Sequence, residues 1–150
     1  MRPLLPILAL IVASCSSAPS DTTPSGTVRL FLDAMERSNG DPEALGEAYA
    51  LLSAPTRRAL AERAHFANAL GGRRFEAWEM LVQGRFRLNF APARGAAGMR
   101  ERIDGEQARV TVTSADGARH AEIPLVREDG RWRIALSIPP TRERPTAPAE

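Results

Sequence analysis

Apolar residues recur at helical spacing through the first half of the chain. The first set has the i, i+3, i+4, i+7 pattern of an amphipathic helix and consists of Val28, Phe31, Leu32 and Met35. We predict that this helix begins near Thr23 and Pro24, because threonine caps helix N-termini and proline fits the first helical position. Asn39 and Gly40 mark its end.

Two further helices follow the same pattern. Asp41 caps the second, whose apolar stripe is formed by Leu45, Ala48, Tyr49 and Leu52. The third begins after Ser53 and Pro55 and ends before two glycines, with apolar positions at Leu60, Ala64, Phe66, Ala67 and Leu70. Each helix is too short to be stable alone, so each must bury its stripe against another element.

The period changes to two in the second half of the chain. Alternating stretches predict four strands, at 99–103, 108–113, 120–127 and 132–136. Asp-Gly pairs, which favour hairpin turns, separate these strands at 104–105, 116–117 and 129–130. One predicted face of this antiparallel meander is apolar, and the other contains Arg109, Thr111, Thr113, His120, Glu122 and Arg133.

The connection between the two halves is ambiguous. Residues 73–82 fit a short helix or a strand equally well, while the alternation of Phe86, Leu88 and Phe90 with polar residues predicts a half-buried strand. Three helices followed by a meander with one apolar face predict an α+β fold in which the helices cover the sheet. The chain of 150 residues is sufficient for one domain with a core.

The N-terminus has the three-part plan of a secretory signal. Arg2 supplies a positive start, residues 4–12 are apolar, and small residues precede Cys15. The apolar stretch is too short to span a bilayer, which needs about 20 apolar residues. Cys15 is the only cysteine, so an internal disulfide is excluded.

Val12, Ala13, Ser14 and Cys15 match all four positions of a bacterial lipobox. This resemblance implies a signal peptide at 1–14 recognised through Val12, Ala13 and Ser14, lipidation of Cys15, and anchoring to the membrane of the cell envelope. Ser16 follows the cysteine where an aspartate retains some lipoproteins in the inner membrane, so the periplasmic face of the outer membrane is favoured. The alternative is an ordinary secretory signal. Residues 15–23 lack apolar periodicity and predict a flexible tether.

The closing segment at 124–134 is similar to the terminal hairpin of small NTF2-like (SnoaL- and ketosteroid-isomerase-related) lipoproteins. The helical part resembles them through residues 28–35, followed by Asp41, Leu45, Tyr49, Leu51, Leu52 and Ser53. This resemblance implies a cone over 24–138, with three N-terminal helices on a curved antiparallel meander enclosing a cavity. Residues 139–150 are predicted to be a disordered tail.

Two groups of residues are candidates for a site. Tyr49, Trp78 and Trp132 either line a pocket in the cone or belong to the core. Arg109, His120, Glu122 and Arg133 either form a polar patch for an anionic ligand or partner, or a solvated sheet face with ion pairs. His65 and His120 lack ligand spacing, so no metal site and no cofactor are predicted.

Two functions therefore remain open. One is a non-catalytic module that binds a small apolar ligand or an envelope protein. The other is a SnoaL- or isomerase-like enzyme acting on an apolar metabolite, with Asp33, Glu79 or a histidine as acid or base. The net charge of +2, without runs of like charge or interleaved aromatics, gives no support for nucleic-acid binding.

Overall fold

A computed structural model describes residues 18–83, 86–94 and 98–140. Its helices are α1 (Pro24–Arg37), α2 (Glu43–Ala50), α3 (Ala54–Ala69) and α4 (Met80–Gln83), the last preceded by a 3₁₀ turn at Ala77–Glu79. Its strands are β1 (Met99–Asp104), β2 (Gln107–Thr113), β3 (His120–Glu128) and β4 (Arg131–Ile134). The strands form one antiparallel sheet in the order β1-β2-β3-β4. The predicted α+β class and the meander are confirmed.

Side chains cap the helices where the sequence places them. The Thr23 hydroxyl accepts a hydrogen bond from Gly26 N at 3.1 Å, and Ser53 accepts one from Thr56 N at the start of α3. Asp41 Oδ1 accepts from Glu43 N at 3.0 Å, although Pro42 occupies the cap position itself. These bonds satisfy N–H groups that have no partner within the helix.

Turn chemistry sets the register of the meander. Asp129 and Gly130 form the two-residue turn between β3 and β4, and both have positive φ (50° and 76°), which these residue types tolerate. The β1–β2 turn is shifted by one residue from the Asp-Gly pair, because Asp104 pairs with Gln107 and leaves Gly105 in the turn. The third pair, at 116–117, lies in the longer 114–119 connection.

One face of the sheet, called the inner face, packs against α1. The fully or nearly buried core residues of this layer include Val28, Phe31, Val110, Val112, Leu125, Trp132 and Ile134. Helix α2 packs on α1, and α3 packs mainly against residues 77–83. The helices therefore do not all lie directly on the sheet: α1 does, and α3 meets the sheet side at its first turn, where Thr56 Oγ1 donates to Leu136 O at 3.4 Å.

The strand predicted at 86–90 is wrong. These residues have no regular secondary structure, although the three apolar side chains are half-buried against the core. The edge of β2 on this side is occupied by β1, and none of residues 86–90 pairs with a strand of the described sheet. Just after this segment the chain pairs with the end of β2, beyond β1: Pro92 bridges Ser114, Ala93 N donates to Thr113 O at 2.8 Å, and Ala115 N donates to Ala91 O at 3.1 Å.

Leu70 also differs from the expected buried stripe. Helix α3 ends at Ala69, and the Leu70 side chain is 72% exposed. Within the described residues, none of the helices has the length and apolar content needed to cross a bilayer.

Candidate binding surface

The predicted lipobox lies outside the residues that the structure describes. Val12, Ala13, Ser14 and Cys15 fall within 1–17, and most of the predicted tail falls within 141–150. The placement of candidate residues can therefore be stated for the domain and for the last part of the tether.

The three aromatic pocket candidates lie in or against the core. Trp132 is 4% exposed, while Tyr49 and Trp78 are half-buried and pack against the core cluster. The Tyr49 hydroxyl donates to Arg57 O at 3.3 Å. None of the three lines either of the two surface grooves described below.

The larger groove lies on the opposite, outer face of the sheet. It has a volume of about 710 Å³, and its walls include Arg100, Arg102, Arg109, Thr111, Glu122 and Pro124. The strand register explains this lining, because Arg100, Thr111 and Glu122 are cross-strand neighbours in one row, and Arg102, Arg109 and Pro124 in the next. The groove is polar at its β1 side and more apolar toward β3, where Pro124 and Val126 lie.

The structure brings together only two of the four residues of the predicted polar patch. Arg109 Nη1 donates to Glu122 Oε2 at 2.8 Å, and both side chains are exposed. His120 is exposed beside Thr113 at the far end of β3. Arg133 lies on β4 and binds Asp21 instead. The four residues therefore do not come together at one place; Arg109 and Glu122 form an exposed cross-strand ion pair.

Asp21 forms a clamp between the incoming chain and β4. Its carboxylate accepts hydrogen bonds from Arg131 Nη1 at 3.0 Å and from Arg133 Nη1 at 2.8 Å, and its carbonyl accepts from Trp132 N at 2.8 Å. The hydrogen bond from Arg133, aided by that from Arg131, lowers the pKa of Asp21 below its usual 3.8. The sequence analysis places Asp21 in the flexible tether, whereas the structure fixes it to the sheet.

Of the candidate acids and histidines, Asp33, His65 and His120 are exposed and Glu79 is half-buried. Asp33 binds Arg37 at 3.0 Å, and Glu79 binds Arg73 and also accepts from Glu76 N at 2.8 Å. His65 lines the second, smaller groove, of about 390 Å³. Among the described residues, no three His, Cys, Asp or Glu side chains come close enough together to hold a metal ion.

Strand β1 contributes surface residues that the sequence analysis did not single out. Arg100 and Arg102 point to the outer face, and within the described residues neither makes an ion pair or hydrogen bond through its side chain. Glu101, on the inner face, accepts from both the backbone N and the hydroxyl of Ser25, at 3.0 and 2.6 Å. Ile103, on the same face, is 52% exposed. In the sequence, the charged run at 100–102 was the available signal for these surface residues, but charge alone does not show on which face of the sheet a residue lies.

Comparisons of the chain with protein-family models, with curated proteins and with solved structures find no match. The function is therefore argued from the residues and their geometry.

Proposed function

We propose that this protein is a lipid-anchored lipoprotein of the bacterial envelope whose NTF2-like domain is a non-catalytic module that binds another envelope protein. The observation that supports this function is the outer-face groove of about 710 Å³, which no described element covers. The opposite face of the sheet is filled by α1 and its apolar neighbours.

The lining of the groove favours a protein partner over a wholly apolar ligand. Arginines and Glu122 stand beside Pro124 and Val126, so the surface combines charged and apolar groups as protein interfaces do. A small apolar molecule in this groove would leave these charges without compensation as it removed their water.

The alternative, an isomerase-like enzyme, lacks support from the candidate groups. Such an enzyme needs an acid or base in a water-excluded cavity, within hydrogen-bond reach of the reacting atom. Asp33 and Glu79 are held in ion pairs with arginines, His120 is exposed at a strand end, and His65 is exposed beside the smaller groove.

Membrane anchoring is tested by replacing Cys15. The lipobox chemistry requires its thiol, so Cys15→Ser is expected to abolish lipid labelling, block processing and release the protein from the membrane fraction. Ser16→Ala is the matched control and is expected to be labelled, processed and retained. A Cys15→Ser protein that is still processed and membrane-bound would contradict the proposed anchor.

Binding through the outer face is tested by site-specific photo-crosslinking in cells. A photoreactive amino acid in place of Thr111, which lines the groove on β2, is expected to crosslink to one envelope protein, and excess unlabelled protein should compete the adduct away. The control is the same amino acid in place of Val82, whose side chain is 51% exposed outside the groove. Equal crosslinking at both positions, or none at Thr111, would refute binding at this face.

A further inference from the structure

The two edges of the sheet differ in whether other segments of the described chain form hydrogen bonds with them. The edge of β4 is covered, because Ser53 N donates to Ile134 O at 2.9 Å, Ile134 N donates to Leu51 O at 2.9 Å, and Trp132 N donates to Asp21 O. The edge of β1 has no such cover: within the described residues, its only backbone pairing is with β2. All of β1 after Met99 is exposed. An uncovered edge strand presents unpaired N–H and C=O groups that can pair with another strand.

The side chains of β1 give this edge a positive outer face. Arg100 and Arg102 alternate on that face without partners in the described structure, and Arg102 lies directly opposite Arg109 on β2. Like charges at directly opposed positions destabilise a sheet. Glu122 pairs with Arg109 and not with Arg102, so a carboxylate brought beside Arg102 would offset the charge that has no partner in the described structure and form a charge-assisted hydrogen bond.

The same charges make a second copy of the chain a poorer partner than an acidic strand. When two copies of β1 pair antiparallel with their inner faces on the same side, the register centred on Glu101 places Glu101 opposite Glu101 and Arg100 opposite Arg102. The register centred on Arg102 places Arg102 opposite Arg102, although it also places Arg100 opposite Asp104. Each of these two registers therefore opposes at least one pair of like charges on adjacent strands. An acidic strand of another protein meets no such repulsion.

We propose that the free edge of β1 binds an extended acidic segment of a partner protein, which adds to the sheet as a fifth, outer strand. Alternate acidic side chains of this segment pair with Arg100 and Arg102, and the apolar residue opposite Ile103, next to the one that pairs with Arg102, packs against Ile103 on the inner side. The inference rests on the proposed function, since it specifies the chemistry of the protein that docks beside the groove.

The experiment is a selection of ten-residue peptides from a random display library on the full-length protein in detergent micelles. Enriched peptides are expected to alternate acidic with β-branched or aromatic residues and to lack proline, because proline cannot donate to a ladder. A synthetic copy of the enriched peptide should bind tenfold or more weakly to Arg100→Glu/Arg102→Glu. The matched control, Arg58→Glu, reverses an exposed charge on α3 and should bind as the parent does.

A second measurement tests main-chain pairing independently of the charge reversal. Methylating alternate backbone nitrogens of the enriched peptide removes its donors and is expected to abolish binding when the donors facing β1 are removed. Enrichment of basic or proline-rich peptides, no enrichment, or binding that survives methylation of each of the two sets of alternate nitrogens in turn would overturn the inference. Dimers that Arg100→Glu/Arg102→Glu dissociates would overturn it in favour of self-pairing.

The two proposals fail in different ways. A competable crosslink at Thr111 together with a negative peptide selection would leave the binding module in place and remove the β1 edge as its docking site. Failure of the Thr111 crosslink would remove the proposed function, whatever the selection returns.

Discussion

Two arginine side chains of β4 bind the carboxylate of Asp21 just before α1 begins. The Asp21 and Arg133 side chains are 16% and 17% exposed, so their 2.8 Å contact is largely shielded from water. The pair of Arg109 with Glu122 has the same length, but its side chains are 61% and 50% exposed. Exposed pairs contribute little, because solvent screens them and their side chains lose entropy. The clamp is therefore the more stabilising of the two.

We expect Asp21→Asn to lower the free energy of unfolding by about 1.5–3 kcal/mol at pH 7, the usual range for hydrogen bonds to charged groups. The loss should depend on pH. Because the pKa of Asp21 is lowered in the folded state, its stabilisation is complete above the unfolded pKa and disappears as the pH falls through the folded pKa. Urea unfolding of both proteins at pH 7 and at decreasing pH below about 4 should show their stabilities converging.

Glu122→Gln is the matched control for the clamp. It removes the same charge from an exposed pair and should cost less than about 1 kcal/mol. A cost for Asp21→Asn no larger than that of Glu122→Gln would show that the clamp is no more stabilising than the exposed pair, and a difference from the parent that stays constant into acid would show that the charge of Asp21 does not contribute.

At the scale of elements, carboxylates from the sheet bind the N-termini of two helices. Glu101 of β1 accepts from Ser25 in the first turn of α1, and Glu128 of β3 accepts from Ala54 N through both oxygens, at 3.0 and 3.1 Å. Each carboxylate satisfies an N–H that has no partner within its helix and interacts favourably with the positive end of the helix dipole. The sheet therefore positions both helices through charge as well as apolar contact.

Glu128→Ala is expected to cost about 0.3–1 kcal/mol and to speed hydrogen exchange at the first turn of α3, because Ala54 N loses its acceptor. Amide exchange measured residue by residue checks this. The control is Glu106→Ala in the exposed β1–β2 turn, whose side chain caps no helix. Unchanged exchange at Ala54 would contradict the capping role.

At the scale of the whole molecule, one continuous core joins the helical layer to the sheet. Leu52 is fully buried between them, and the backbone there pairs with Ile134 as a parallel bridge. Trp132 lies in the same core on the sheet side. A core shared in this way makes the two layers fold and unfold together.

Leu52→Ala should lower the free energy of unfolding by about 2–5 kcal/mol through lost burial and a cavity. In a Trp78→Phe background, fluorescence reports Trp132 alone, and its transition should coincide with that of far-UV circular dichroism before and after the change. Val82→Ala, at a half-exposed position, should stay within about 0.5 kcal/mol. Transitions that separate would show that sheet and helices unfold independently.

Short sequence signals correctly predicted the structural features that depend on a few neighbouring residues. Thr23, Ser53 and the glycine-containing turns gave the helix starts and the hairpins, because caps and positive φ values are set by a few neighbouring residues. The alternation of Phe86, Leu88 and Phe90 gave a wrong strand, because these side chains pack against the core from a segment that pairs with no strand. Periodicity indicates which side chains are buried and does not indicate whether the backbone has a strand partner.

The candidate site was less predictable for the same reason. The predicted faces of β2 and β3 placed Arg109 and Glu122 correctly on one surface. Arg133, however, binds Asp21, which lies more than one hundred residues away in sequence. No local pattern indicates that contact. Whether β1 is an uncovered edge strand likewise depends on which edge of the sheet the rest of the chain pairs with.

The position of the Asp21 clamp also determines how the domain responds to mechanical load. The backbone bond from Trp132 and the two arginine contacts lie between the residues before Asp21 and helix α1. Tension applied from the N-terminal side is therefore transmitted first to β4 at the covered edge of the sheet. The clamp is expected to rupture before this tension unwinds helix α1 from its N-terminus.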